Sequence, residues 1–134
     1  MSTIFSKIIN GEIPAYKVAE SDDFLAFLDI NPLAEGHTLV IPKKEIDYVF
    51  DMDEEAYSKF FLFARKVARA VKKVVPCTKI GVAVIGLEVA HAHIHLVPIN
   101  DVYDIDFKKE KLKLSRERFL QIATMIAENI SAND

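Results

Sequence analysis

The spacing of apolar residues along this chain predicts helices at both ends and a long helix between them. Apolar residues within 4–9 recur at helical spacing, and Asn10-Gly11 is a typical helix end. A second helical pattern runs from about 52 to 74, and Asp51 with Glu54 predicts a capping box at its start. The pattern therefore predicts one short helix followed by one much longer helix.

Strand-like runs lie on either side of the long helical pattern. They are short, rich in β-branched and aromatic residues, and bounded by Gly, Pro or Asp. These runs are 15–20, 24–29, 37–42, 79–86 and 91–97, and Ser115 then caps a last helix. Short connections make the first two runs a hairpin and the last two an antiparallel pair. We therefore predict an α+β fold: a single domain, 1–134, with a five-stranded antiparallel sheet, one long central helix and short N- and C-terminal helices.

Composition narrows the function classes without identifying one. A length of 134 residues suits a single domain, and a net charge of -3 gives no surface built to hold a nucleic-acid backbone. Cys77 is the only cysteine, so an internal disulfide framework and a multi-cysteine zinc site are excluded. The chain has no signal-peptide pattern, and no apolar stretch approaches about 18 residues. We expect a cytoplasmic protein with no membrane or nucleic-acid partner.

The last strand-like run carries three of the four histidines of the chain. Side chains alternate between the two faces of a strand, so His91, His93 and His95 would share one face and the apolar residues between them the other. An ordinary solvated strand face would use Thr, Lys or Glu rather than one ionisable residue three times. The repetition of imidazoles therefore indicates a chemical role.

Two kinds of chemistry fit this row, a metal site and nucleophilic catalysis. At about 3.3 Å per residue the Cα atoms of His91 and His95 are roughly 13 Å apart, so three ligands on one tetrahedral ion would be strained. A neighbouring pair could still share a zinc ion. A nucleophile needs a neutral imidazole held in one tautomer beside hydrogen-bond donors. His93 has a possible helper on each side and is the best candidate.

The run His91–Val97 resembles the defining motif of the histidine triad superfamily of nucleotide hydrolases and transferases. Further segments are similar to the Hint branch of that superfamily, and they occur in the same order along the chain. They are Ile4-Phe5, Lys7-Ile8-Ile9, Gly11-Glu12-Ile13-Pro14, Phe27-Leu28-Asp29-Ile30 and the run from Gly36 to Lys43. The resemblance covers residues 3 to about 99 and leaves the tail, 100–134, unmatched.

The resemblance implies an enzyme that acts at the α-phosphate of a purine nucleoside phosphoramidate or related nucleotide. His93 would attack the phosphorus to form a nucleotidyl-histidine, and water would then release the nucleoside monophosphate. His95 would contact the phosphate and leaving group, His91 would orient the nucleophile, His37 would support it, and Asp29 would bind the ribose hydroxyls. The apolar base pocket would consist of Phe5, Ile8, Phe27 and Ile30. The resemblance further implies an AMP-type substrate and a homodimer, and we expect no metal or other cofactor.

The turn before the histidines differs from the family pattern. Many relatives have Gly-Gln-Ser or Gly-Gln-Thr there, whereas this chain has Gly86-Leu87-Glu88. At these substrate-binding positions Leu87 cannot donate a hydrogen bond, and Glu88 places a carboxylate near a phosphate. An alternative function is therefore a nucleotide-binding scaffold with little turnover.

Overall fold

A five-stranded antiparallel sheet and three α-helices form the structure, which confirms the predicted α+β architecture. The computed structural model describes residues 3–131, so the first two and last three residues of the predicted domain lie outside the described residues. The strands are β1 Lys17–Glu20, β2 Phe24–Leu28, β3 Thr38–Pro42, β4 Lys79–Ala83 and β5 Ile94–Ile99. The helices are α1 Ile4–Ile9, α2 Glu54–Val74 and α3 Arg116–Glu128.

The last strand in the chain lies inside the sheet. The strand order is β1-β2-β3-β5-β4, so β5 pairs with β3 on one side and with β4 on the other. In this register Leu39 lies opposite His95, and Thr38 lies opposite Leu96. Directly paired residues point to the same face of a sheet. The register therefore places His95 on the face that carries Leu39.

The two faces of the sheet build two apolar clusters of unequal size. The larger cluster joins one face to α2 and α3 and contains Ala92, Ile94 and Leu96. The smaller cluster lies on the other face against α1 and consists of Phe5, Ile8, Leu25, Phe27, Leu39 and Ile41. The apolar residues between the histidines thus anchor this segment in the main core. The histidines are left on the side of the smaller cluster.

The histidine strand begins later than the sequence predicts. Strand β5 starts at Ile94, so the predicted strand 91–97 is wrong for His91 and His93, which precede the ladder. The amide of Ala92 donates instead to the carbonyl of Ile46, at 2.6 Å. This segment therefore bonds to the chain beyond β3 before it enters the sheet. The three histidines still lie on the side of the smaller cluster, but only His95 is part of a strand.

The start of the long helix also differs from the prediction. Asp53, and not Asp51, is the N-cap, and its side chain accepts a hydrogen bond from the amide of Ala56. Asp51 lies in a preceding 3₁₀ turn, Val49–Asp51, so its predicted capping box with Glu54 is wrong. The predicted cap of the last helix, Ser115, is confirmed by its bond from the amide of Arg118. Over residues 3–131, no helix is both long and apolar enough to span a bilayer.

Candidate active site

Four histidines from two distant parts of the chain meet beside the smaller apolar cluster. His37 lies just before β3, and the other three lie at the start of β5 and just before it. All four are buried, between 0% and 8% exposed. The ring centroids of His93 and His95 are 4.9 Å apart, and those of His37 and His95 are 5.2 Å apart. The fold therefore gathers all the predicted catalytic histidines, and each ring is also held by a hydrogen bond.

The backbone fixes the proton of His93. Its Nδ1 lies 2.7 Å from the carbonyl oxygen of His91. A carbonyl oxygen can only accept, so Nδ1 carries the hydrogen. The neutral ring then has its lone pair on Nε2. His93 thus offers a nucleophilic nitrogen on the side of the ring away from the backbone.

His91 is held in the opposite tautomer. Its Nε2 lies 2.7 Å from the carbonyl oxygen of Pro42, so Nε2 carries the hydrogen and Nδ1 is the acceptor. The hydroxyl of Thr3 lies 3.2 Å from that Nδ1 and is the matching donor. His91 therefore joins the end of β3 to the first turn of α1. It also holds the carbonyl that orients His93.

A chain of hydrogen bonds connects the other two histidines. The amide of Leu33 donates to Nδ1 of His37 at 3.0 Å, so the hydrogen of neutral His37 must be on Nε2. That Nε2 lies 3.0 Å from Nδ1 of His95, to which it donates. His95 consequently carries its own hydrogen on Nε2. The site thus combines an acceptor nitrogen on His93 with a donor nitrogen on the neighbouring His95.

Burial keeps His37, His93 and His95 neutral. It lowers the pKa of His37 to about 3 and that of His95 to about 4, with the neighbouring His95 and Lys111 adding to the effect at His37. The pKa of His93 is also lowered, chiefly by burial. At neutral pH all three rings therefore have the free lone pairs that the hydrogen-bond chain requires.

Asp29 lies at the end of β2, directly beside this chain. One carboxylate oxygen accepts from the amide of Asn31 at 2.9 Å, and the other lies 3.6 Å from Nε2 of His37. Burial raises the pKa of Asp29. Its side chain stays 19% exposed, so part of the carboxylate remains open to a ligand.

Asp29, His37 and His95 are also the cluster best placed for a metal ion among the described residues, since their ligand atoms lie within 4.8 Å of one another. The tautomers oppose this use. The lone pair of His37 already accepts the Leu33 amide, and its other nitrogen carries the hydrogen donated to His95. To bind a metal ion, His37 would have to lose the hydrogen on Nε2 or the hydrogen bond that Nδ1 accepts from the Leu33 amide. The cluster is better described as a hydrogen-bonded pair beside a carboxylate.

The predicted base-pocket residues do not share one environment. Phe5, Ile8 and Phe27 are buried together in the smaller cluster, whereas Ile30 is 62% exposed. The Phe5 ring lies against His93, with centroids 4.9 Å apart. Three of the four residues therefore form a floor beside the histidines, and Ile30 lies at the surface.

The turn before the histidines is at the surface. Leu87 is 89% exposed, and Glu88 is also exposed. Burial lowers the pKa of His93, and the negative charge of Glu88 opposes that effect. Burial raises the pKa of Asp29, and Glu88 adds to that effect. The carboxylate of Glu88 is therefore within electrostatic reach of the site. No sequence pattern indicates three other contributors: Thr3, the Leu33 amide and Phe107, whose ring lies 4.6 Å from that of His95.

Comparisons of this chain with a family model, individual proteins and solved structures all find proteins of one kind. A model of the HIT domain family matches residues 10–102. An uncharacterised HIT-like protein of Borreliella burgdorferi is 39% identical over 135 residues, covering 95% of this chain and 97% of the relative. The adenosine 5′-monophosphoramidase hnt1 of Schizosaccharomyces pombe is 31% identical over 132 residues, covering 97% and 99%. A crystal structure of a Hit-like protein involved in cell-cycle regulation from Bartonella henselae superposes with a TM-score of 0.82 at 34% identity, with 96% of each chain covered.

The buried histidines predict a specific acid sensitivity. A group whose pKa falls on folding stabilises the protein fully above its unfolded pKa, about 6.5 for histidine, and this stability is lost as the pH falls toward the folded value. His37 and His95, with pKa values of about 3 and 4, both act in this direction. We expect the free energy of unfolding to decrease from about pH 6.5 to about pH 4.

Urea unfolding in a pH series measures this effect. His37→Gln removes one titrating ring, and it should reduce the slope of unfolding free energy against pH by about 1.4 kcal/mol per pH unit within that window. Asp29, with its raised pKa, acts in the opposite direction in both proteins, so the difference between the two slopes is the informative quantity. Cys77→Ser serves as the control and should retain the wild-type slope. Equal slopes for wild type and His37→Gln would contradict the assignment.

Proposed function

The chain belongs to the HIT domain family, and from this premise we propose that it hydrolyses a purine nucleoside phosphoramidate or a related nucleotide at the α-phosphate. The observation that carries the proposal is the pair of opposite tautomers in adjacent rings. His93 presents a lone pair on Nε2, and His95 presents a hydrogen on Nε2. A nucleophile and a donor side by side are what displacement at phosphorus requires.

In the first step, Nε2 of His93 forms a bond to the α-phosphorus as the bond from phosphorus to the leaving group breaks. The leaving group takes the electron pair of that bond. A leaving amine also takes a proton from the solvent, whereas a leaving phosphate needs none. The hydrogen on Nε2 of His95 stabilises the developing charge on the phosphoryl oxygen or leaving atom. The ring of His93 becomes positively charged, and the bond from its Nδ1 to the His91 carbonyl stabilises that charge.

In the second step, water attacks the same phosphorus and the bond to Nε2 of His93 breaks. The electron pair returns to the ring, the water gives a proton to the solvent, and a nucleoside monophosphate leaves. Since His93 returns to its neutral starting tautomer, the cycle consumes only the nucleotide and water. The electrons balance without a metal or another cofactor.

The remaining site residues have supporting roles in this proposal. His91 orients His93 through its carbonyl, and His37 transmits the direction set by the Leu33 amide to His95. The open part of the Asp29 carboxylate suits the two hydroxyls of a ribose, because a carboxylate accepts several hydrogen bonds. Phe5 and its apolar neighbours form a floor for a base, with Ile30 at the pocket edge.

Replacement of the nucleophile tests the reaction. His93→Ala should lower kcat for adenosine 5′-phosphoramidate by at least about 10³-fold, because a variant without the attacking nitrogen loses the covalent route. The measurement is release of AMP, with AMP binding followed separately by calorimetry. Cys77→Ser is the matched control and should keep the wild-type rate.

Three outcomes would contradict the proposal. Equal turnover by wild type and His93→Ala would exclude the nucleophile. AMP binding by wild type without turnover of phosphoramidates or dinucleoside polyphosphates would support the alternative function, a nucleotide-binding scaffold. Loss of wild-type activity in the presence of a chelator would show that a metal participates.

Glu88 supports a preference for leaving groups without negative charge. Its carboxylate lies within electrostatic reach of the nucleophile, at a position where many relatives have a hydroxyl donor. Glu88→Gln should raise kcat/KM for a dinucleoside polyphosphate relative to the phosphoramidate by about 5-fold, since removing one nearby charge is worth about 1 kcal/mol in high dielectric. Both substrates carry the same α-phosphate, so the ratio isolates the leaving group. An equal change for both substrates would contradict this role.

We also propose a homodimer that pairs through strand β4. The other edge, β1, carries the charged ends Lys17 and Glu20 and an irregular register, which are features that discourage strand addition. At β4 the apolar side chain of Val82 is 55% exposed. Sedimentation should give twice the chain mass, and Val82→Lys should give monomers, whereas Val102→Lys at another exposed site should not. A monomeric wild type would contradict the proposal.

A further inference from the structure

The segment between β5 and α3 lies directly against the catalytic histidines. We refer to residues 101–115 as the strap. The ring of Phe107 in the strap is 4.6 Å from that of His95, edge to face at 70°, and 6.2 Å from that of His37. The strap belongs to the tail that the sequence resemblance leaves unmatched. Its contact with two of the four histidines makes it part of the site.

Several bonds hold the strap in this position. The amide of Leu112 donates to the carbonyl of Pro32 at 2.8 Å, in the loop that leads to His37. The ammonium of Lys111 donates to the carbonyls of Phe107 and Lys109 and closes the strap on itself. Just beyond it, Arg118 forms two bonds with the carboxylate of Glu35, at 2.9 and 2.7 Å. The strap is therefore fastened to the His37 loop by Leu112, and α3 is fastened to the same loop just beyond it by Arg118.

We propose that Phe107 is a positioning residue that keeps the ring of His95 in the one orientation that presents its Nε2 hydrogen to the substrate. The inference rests on the proposed function for its catalytic meaning, but its structural part does not. His95 lies between the rings of Phe107 and His93 and receives its hydrogen bond from His37. The contact with Phe107 adds to those with His93 and His37, and together they leave His95 only 8% exposed.

The physical argument concerns the competing state of His95. If its ring rotated by a half turn about the Cβ–Cγ bond, Cδ2 would replace Nδ1 opposite Nε2 of His37, and the hydrogen of His37 would lose its acceptor. The nitrogens of His95 would then be free to hold the hydrogen at either position. Water could stabilise that state by supplying donors and acceptors to the displaced nitrogens. Phe107 excludes water from this side of the ring pair, so the competing state loses its solvent partners. The Leu33 amide sets the direction of the hydrogen-bond chain, and Phe107 prevents water from replacing His37 as the partner of His95.

The experiment measures the tautomer directly. In protein labelled with ¹⁵N at histidine, the nitrogen shifts of His95 report which nitrogen carries the hydrogen, without any substrate. Wild type should show a single Nε2–H form, and Phe107→Ala should show a mixture. In turnover assays Phe107→Ala should lower kcat about 10-fold with KM changed less than about 2-fold. A misaligned donor reduces stabilisation of the transition state more than it reduces substrate binding.

Three further variants separate positioning from general damage. Phe107→Leu keeps an apolar cover and should recover most of the single tautomer and of kcat. Tyr103→Ala removes an aromatic ring from the same strap that is 77% exposed, and it should match wild type in both readouts. Arg118→Gln weakens the fastening without altering the aromatic contact, and it should give a smaller mixture in the same direction. Thermal unfolding checks that each variant is folded.

A pure Nε2–H form in folded Phe107→Ala, or an unchanged kcat, would overturn the inference. If Phe107→Ala did not fold, a pure form in both Phe107→Leu and Arg118→Gln with reduced kcat would overturn it equally. The two proposals fail in different ways. A wild type that turns over no nucleotide refutes the proposed function, whereas the tautomer of His95 in the free protein still decides the role of Phe107.

Discussion

The site depends on the fact that a backbone amide can only donate a hydrogen bond and a backbone carbonyl can only accept one. The Leu33 amide determines which nitrogen of His37 carries the hydrogen, and through it the tautomer of His95. The carbonyls of His91 and Pro42 do the same for the other two rings. A histidine has two nearly equivalent neutral forms in water. Here fixed backbone groups select one form for each ring before any substrate binds.

The sheet makes this selection rigid. Since β3 and β5 are neighbours, a histidine at the start of one strand reaches a histidine on the other, although they are 58 residues apart in sequence. The alternating apolar residues Ala92, Ile94 and Leu96 fix the histidine segment in the main core. Packing in the larger cluster thus sets the positions of rings on the opposite face. Burial lowers the pKa values of His37, His93 and His95 and keeps these rings neutral, so structural and chemical requirements agree.

The sequence was most informative where a local pattern decides the structure. The three helices and five strands were predicted because apolar spacing and caps are local, and Ser115 was correctly identified as a cap. The predicted start of the histidine strand was wrong for His91 and His93 because the Ala92 amide bonds to Ile46, far away in sequence. The choice of Asp51 over Asp53 was wrong because a short 3₁₀ turn takes up the residues between. The roles of Thr3 and Phe107 depend wholly on tertiary contacts, and no spacing in the chain indicates them.

In the proposed reaction, the residues that hold the attacking and donating nitrogens and those near the leaving group come from different parts of the fold. The proposed nucleophile and its donor are held by β3, β5 and the loop at Leu33, all within the segment matched by the family model. Glu88 in the exposed turn and Phe107 in the strap reach the site from outside those strands. The strap can change without disturbing the backbone bonds that fix His91 and His93, because it makes none of them. In the proposed reaction the attack on phosphorus therefore depends on the strands, whereas Glu88 acts on the leaving group and Phe107 on the orientation of His95.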